Sequence, residues 1–228
     1  MENDPMIWDV DNVLVLSAHT DDMEVGAGAT VRRLVESGAK VKSLVFSDCK
    51  KSVDISKYPL DVLRTECRAA ADHIGIKDLT ILELPVRDFP NHRQEILETI
   101  YALRKKDDFD LVLTLWTGDL HQDHKVVAEE TFRAFMRTDV SVLSYEVAGS
   151  SPGFVPQVFF PLAEDDVERK MEMLSLYRSQ VERRGYFTIN AVRSVMGYHG
   201  HHCGAPYAEA FSLHRGVVCG FGRKAHHS

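Results

Sequence analysis

Four continuous apolar runs punctuate the first half of the chain, at Val13 to Ala18, Val41 to Phe46, Leu79 to Leu84 and Leu111 to Leu115. Runs of this kind, rich in β-favouring residues and without polar alternation, predict strands buried on both faces, as in a parallel sheet. Between them lie stretches with apolar residues at helical spacing. Glu24 to Glu36 stops at Gly38, and Leu60 to Ile74 and Gln94 to Lys105 behave alike. A further helix is predicted from Gln122 to Met136 and a strand from Val140 to Glu146.

This alternation predicts a doubly wound, mostly parallel, Rossmann-like α/β sheet with helices on both faces and right-handed crossovers. Residues 1–150 carry the pattern. After "GSSPGFVP" it changes: a short apolar run, "QVFFPL", leads to a helix from Asp165 to Arg178 and then to a glycine- and histidine-rich tail. The expectation is one domain over 1–228, in which 151–228 completes a sheet edge and walls the site.

Ligands of doubly wound sheets bind outside the carboxyl ends of the strands, where the strand order reverses. In the common order, the first strand borders the fourth there. The first strand runs into His19, Thr20, Asp21 and Asp22, and the fourth into "WTGDLHQDH", Trp116 to His124. Two short loops thus bring imidazoles (His19, His121, His124) and carboxylates (Asp22, Asp123) toward one point. Both are ligand types for zinc or a similar divalent ion, and three protein ligands leave a position open for water. Either loop alone reads as readily as an ordinary helix start, with Asp21 or Asp22 as N-cap and Glu24 as a favourable first-turn charge. Their meeting at the switch point is what favours a metal centre.

Composition narrows the setting. Of 228 residues, 44% are hydrophobic and 27% charged, the balance of an ordinary globular chain. The formal charge of -7, without a basic stripe, argues against nucleic acid as a partner. The opening "MENDPMIWDVDN" lacks signal-peptide character and no run reaches the length of a membrane span, so a cytoplasmic location is expected. Cys49, Cys67, Cys203 and Cys219 form no CxxC pair and are expected as free thiols. The glycines of "GAGAT" lack GxGxxG spacing and follow carboxylates, a poor fit to a pyrophosphate.

The stretch "AHTDDMEVGAGAT" resembles the AHPDDEELGCGGT-type motif of the PIG-L (LmbE-like) deacetylases, and "HQDH" resembles their HPDH motif. "RTECRAAADHIG" is similar to that family's arginine-glutamate helix, "ELPVRDF" to its strand-and-aspartate segment, "YRSQ" to its C-terminal helix end and "YAEAF" to its late motif. The resemblance implies a zinc-dependent N-deacetylase whose small-molecule substrate is an N-acetylglucosamine-type sugar or conjugate. It implies His19, Asp22 and His124 as ligands of Zn2+ or another divalent metal, and Asp21 as general base. It implies that Arg64 and Asp88 hold sugar hydroxyls.

Amide hydrolysis also needs oxyanion stabilisation, for which His121 is the candidate, and an oriented imidazole, the role expected of Asp123. The proton for the departing amine comes from Asp21 or from a tail histidine. His199, His201 and His202, flanked by glycine, read more simply as solvated loop residues. Arg64 could equally pair with Glu66, and Asp88 could be a turn residue. Trp116 and Tyr207 read first as core and second as sugar-stacking surfaces. The family motifs are departed from at Thr20, Met23 and Gln122, and Asp119 stands where some members carry a tyrosine that assists the oxyanion. The apolar "FSLHRGVVCGFG" is a candidate homo-oligomer surface, and His226 and His227 are assigned to a disordered end. Two alternatives stay open: an amidohydrolase of a non-sugar N-acyl metabolite, and a catalytically silent metal-binding protein, against which Asp21 argues.

Overall fold

The computed structural model describes residues 10–182 and 189–217. The first half alternates as expected: β1 (Asn12–Ser17), α1 (Asp22–Glu36), β2 (Lys40–Val45), α2 (Val62–His73), β3 (Asp78–Ile81), α3 (Arg93–Lys106), β4 (Leu111–Leu115), α4 (Gln122–Ala134) and β5 (Ser141–Tyr145). Then follow β6 (Val158–Leu162), α5 (Glu164–Ser175), α6 (Arg178–Val181), α7 (Ile189–Cys203) and β7 (Tyr207–Arg215).

The seven strands lie in the order β3-β2-β1-β4-β5-β7-β6. Strands β1 to β5 pair in parallel, and β7 runs antiparallel to both its neighbours. The sheet is therefore α/β, mostly parallel, with the order reversing between β1 and β4. Residues Val13 to Leu16 and all of β4 and β5 are buried, which is why these strands read as unbroken apolar runs. The segment after residue 150 joins the same sheet, since β7 inserts between β5 and β6.

The tail departs from expectation. "HGHHC" is the last turn of α7, not a loop. Its glycine marks a close approach: a Cβ on Gly200 would lie 2.6 Å from the Tyr207 main chain. Gly26 does the same for α1, where a Cβ would meet Tyr145 Cδ2 at 2.4 Å and the Glu146 carbonyl at 2.5 Å. Cys219, His226 and His227, with the end of the apolar tail, lie outside the described residues. Among the described residues no helix is long and apolar enough to cross a membrane.

A buried pair ties the tail to α1. Glu209 on β7 accepts the main-chain N–H groups of Ala29 (3.0 Å) and Thr30 (2.6 Å). Lys170 on α5 donates to Glu209 Oε1 (2.5 Å) and to the Val25 carbonyl (2.6 Å). The "YAEAF" stretch thus holds α1, and with it the turn after β1.

Candidate active site

The turn from β1 into α1 delivers His19, Asp21 and Asp22. Asp22 Oδ2 accepts the His19 main-chain N–H at 2.8 Å, closing the turn. Asp21 stands at the N-cap position, makes no side-chain cap bond, and lines the cavity beyond the strand ends. The buried Tyr177 hydroxyl donates to the Thr20 carbonyl and to Glu24 Oε1 (2.8 Å). Glu24 is not the first-turn surface charge its position suggests: burial pushes its carboxyl up to about 8, against the opposing bond from Tyr177.

The loop from β4 into α4 delivers Asp119, His121, Asp123 and His124. His121 is the N-cap of α4, its Nδ1 accepting the Asp123 N–H at 3.2 Å, so the neutral ring carries its proton on Nε2. Burial, then the neighbouring His19 and His124, depress His121 to about 4, and it is neutral at physiological pH. Its ring stacks on that of His124 with centroids 4.6 Å apart.

Between the loops the side chains of three residues converge, Asp22 through both of its carboxylate oxygens. His19 Nδ1 lies 3.0 Å from His124 Nε2, His124 Nε2 lies 3.2 Å from Asp22 Oδ1, and His19 Nδ1 lies 3.6 Å from Asp22 Oδ2. Tetrahedral zinc with bonds of about 2.0 Å sets its ligand atoms about 3.3 Å apart, so the spacing fits such an ion. The outward nitrogens face carboxylates: His19 Nε2 is hydrogen-bonded to Asp123 Oδ2 at 3.1 Å, and His124 Nδ1 lies 3.1 Å from Asp119 Oδ2 in a charge contact outside hydrogen-bond geometry. Carboxylates on the far side of ligating imidazoles fix the tautomer and aim the other nitrogen inward. His121 is close enough to contribute, since atoms of His19, His121 and His124 lie within 4.8 Å of one another.

Burial opposes charge on both rings, but the charge of Asp22 and the hydrogen bond His19 donates to Asp123 raise His19 to about 9, and Asp22 with Asp119 raises His124 to about 10. Burial would likewise raise Asp22, yet His124 and His19 hold it well below the usual carboxylate range.

Asp119 and Asp123 are buried anchors. Asp119 accepts the His121 N–H (2.7 Å) and the hydroxyls of Ser150 (2.8 Å) and Ser151 (2.7 Å), joining the β4 and β5 loops. Asp123 accepts the Arg87 N–H at 2.6 Å and the Phe89 N–H at 3.4 Å. The role of Asp119 went unseen in the sequence, although it stands two residues before His121 in the stretch that named the site.

The cavity over these groups measures about 520 Å³. Its floor is His19, Asp21, Asp22, His121 and His124; its walls include Val25, Leu63, Val86 and the 147–150 loop, with Gln180 and Arg87 as further polar groups. Gln180, of "YRSQ", arrives on α6, which Glu66 anchors by accepting the Ser179 N–H (2.9 Å) and hydroxyl (2.6 Å). The structure does not bring Arg64 or Asp88 into the wall. Arg64 pairs with Glu83 (3.0 Å) and Asp48 (3.4 Å). Asp88 accepts from Asn91 Nδ2 (2.6 Å) and lies 3.4 Å from His92. Trp116 packs edge-on to Phe154, and Tyr207 lies beside Arg193. His199 is buried and hydrogen-bonded to Glu146, whereas His201 and His202 are exposed.

Fold and site together define a class: a doubly wound α/β protein with histidines and carboxylates that converge at the switch point and could hold a metal ion. The PIG-L family model, described as GlcNAc-PI de-N-acetylase, matches residues 14–135, more than half of the chain, and the chain belongs to that family. It is similar to the "uncharacterized deacetylase YaiS" of Escherichia coli (strain K12), 28% identical over 176 residues, 73% of this chain and 90% of that one. Among solved structures, N,N'-diacetylchitobiose deacetylase from Pyrococcus horikoshii superposes with a TM-score of 0.75 at 19% identity, covering 90% of this chain and 84% of that one. The zinc-inhibited form of teicoplanin deacetylase Orf2 gives a TM-score of 0.73 at 17% identity, covering 88% and 96%.

Proposed function

We propose that the chain is a divalent-metal N-deacetylase, most suited to zinc, that hydrolyses the N-acetyl amide of an N-acetylglucosamine-type sugar or sugar conjugate. The observation that carries this reading is the triangle of His19 Nδ1, His124 Nε2 and Asp22 with Asp21 beside it on the cavity floor. Family membership and the deacetylase relatives support the reaction class, and the imidazole and carboxylate donor set supports a divalent metal.

His19, Asp22 and His124 would hold the metal. A divalent cation there supplies Lewis acidity, polarising the amide carbonyl and lowering the pKa of water toward neutrality. Asp21 takes a proton from the attacking water as it adds to the carbonyl carbon. The neutral His121 offers its Nε2–H to the developing oxyanion, and that donor is fixed by the α4 N-cap bond. As the C–N bond breaks, Asp21 returns the proton to nitrogen, so the products are acetate and a free amine. Asp123 keeps His19 in its ligating tautomer. Leu63 and Arg87 line the cavity while their neighbours Arg64 and Asp88 do not, so in this reading those two meet sugar hydroxyls only at the rim.

The test is metal analysis of the purified protein together with acetate release from free N-acetylglucosamine, diacetylchitobiose and UDP-N-acetylglucosamine. Metal-dependent release from at least one is expected. Inactivity on every sugar with metal bound would overturn the sugar reading.

A further inference from the structure

Arg87 lines the cavity with a side chain that is exposed, and among the described residues it has no ion-pair partner. Its neighbours differ. Lys50 and Arg64, on the same side of the molecule, share the carboxylates of Asp48 and Glu83. Arg87 also has a left-handed backbone, with φ of 67°, which is uncommon for a residue with a Cβ. That conformation is clamped on both sides. The Arg87 N–H donates to Asp123 Oδ2 at 2.6 Å, and the Arg87 carbonyl accepts from the Gln122 side chain.

The clamp links Arg87 to the reaction centre. Asp123 Oδ2 also faces His19 Nε2 at 3.1 Å, so two hydrogen bonds separate the Arg87 main chain from a proposed metal ligand. A strained, anchored residue beside a reaction centre is where backbone outliers serve function. An unpaired guanidinium presents a planar fork of donors that matches phosphate or carboxylate oxygens. The chain as a whole carries a formal charge of -7 and does not attract anions, so only a local cation could select one.

We infer that Arg87 selects substrates carrying an oxyanion, a phosphate or a carboxylate, elsewhere on the acylated amino sugar, with the amide at the metal centre and the anion at the guanidinium. This rests on the deacetylase reading above and specifies its substrate class. Gln180 and Ser150, also in the wall, suit hydroxyls between the two ends.

The experiment compares kcat/KM for N-acetylglucosamine with N-acetylglucosamine 1-phosphate, N-acetylglucosamine 6-phosphate and N-acetylmuramic acid, in wild type, Arg87→Gln and Arg87→Lys. Because a charge-assisted hydrogen bond exceeds a neutral one, the wild type should favour at least one anionic substrate by about tenfold or more, mainly through KM. Arg87→Gln should abolish the preference, and Arg87→Lys should keep part of it. The three anionic arms separate an anomeric phosphate, a distal phosphate and a carboxylate. Equal use of neutral and anionic sugars, or a preference unchanged in Arg87→Gln, would overturn the inference. Binding of glucosamine 6-phosphate against glucosamine by calorimetry reads Arg87 independently of turnover. Failure to hydrolyse any sugar, with phosphate-dependent binding lost in Arg87→Gln, would sink the deacetylase reading while upholding the anion contact.

Discussion

His19 Nδ1 and His124 Nε2 face each other across 3.0 Å, while the opposite nitrogen of each ring lies 3.1 Å from a carboxylate, Asp123 for one and Asp119 for the other. A cation held by these rings would need both inward nitrogens free of protons, and the carboxylate behind each ring is the group placed to keep the remaining proton outward.

The ligand and base roles therefore separate by mutation. His124→Ala should lose both metal and turnover. Asp21→Asn should keep stoichiometric metal while turnover falls by about 10²- to 10⁴-fold, the usual worth of a general base. Metal analysis and acetate release on the same preparations decide it, and equal metal loss in the two variants would refute the assignment.

Asp119 should govern metal affinity without touching the metal. Removing a carboxylate behind a ligating histidine weakens binding by about 10- to 100-fold. Asp119→Ala also frees the Ser150 and Ser151 hydroxyls and should show this full loss in a chelator competition. Asp119→Asn, which keeps an acceptor toward His124, should lose less. Unchanged affinity in Asp119→Ala would show that the 3.1 Å contact does not orient the ring.

The parallel half of the fold was legible because burial on both faces writes a strand as an unbroken apolar run, and because Gly38 stops α1 where the chain turns back. The meeting of the two loops was legible because topology joins His19 with His124 once β1 and β4 are adjacent. The tail was not. Its glycines look like loop markers, yet Gly200 serves contact between α7 and β7, which depends on a partner outside any local window. The insertion of β7 between β5 and β6 is likewise a long-range pairing without a local signal. Arg64 and Asp88 were placed by motif position alone, and a motif does not say which of two adjacent residues faces a cavity: here it is Arg87 and not Asp88.

Cys49 should resist alkylation although it lines the cavity. Burial, reinforced by the charge of Asp21, pushes its thiol up to about 12 from an ordinary 9.0. Only the thiolate reacts, so at pH 8 a three-unit rise leaves about a thousandfold less of the reactive form. Peptide mapping after brief iodoacetamide treatment of the native protein should find the exposed Cys203 labelled and Cys49 unlabelled. Comparable labelling of both would mean that the Cys49 pocket opens in solution.

The last expectation concerns the Lys170 and Glu209 pair that binds α1 to the tail. Both side chains are almost fully buried, and each has main-chain partners on α1 besides the other: Ala29 and Thr30 for Glu209, Val25 for Lys170. Removing one member leaves the other as an uncompensated buried charge, which costs about 3–5 kcal/mol. Lys170→Met and Glu209→Gln should each lower stability by that order in urea unfolding. The double variant should lose less than the sum, with a coupling of about 0.5–3 kcal/mol, because the second substitution removes the charge the first left stranded. Strict additivity would show that the two groups hold α1 independently through their main-chain bonds. Because α1 begins at Asp22, the single variants should also weaken metal binding in the folded protein, a readout that general destabilisation alone would not produce well below the unfolding transition.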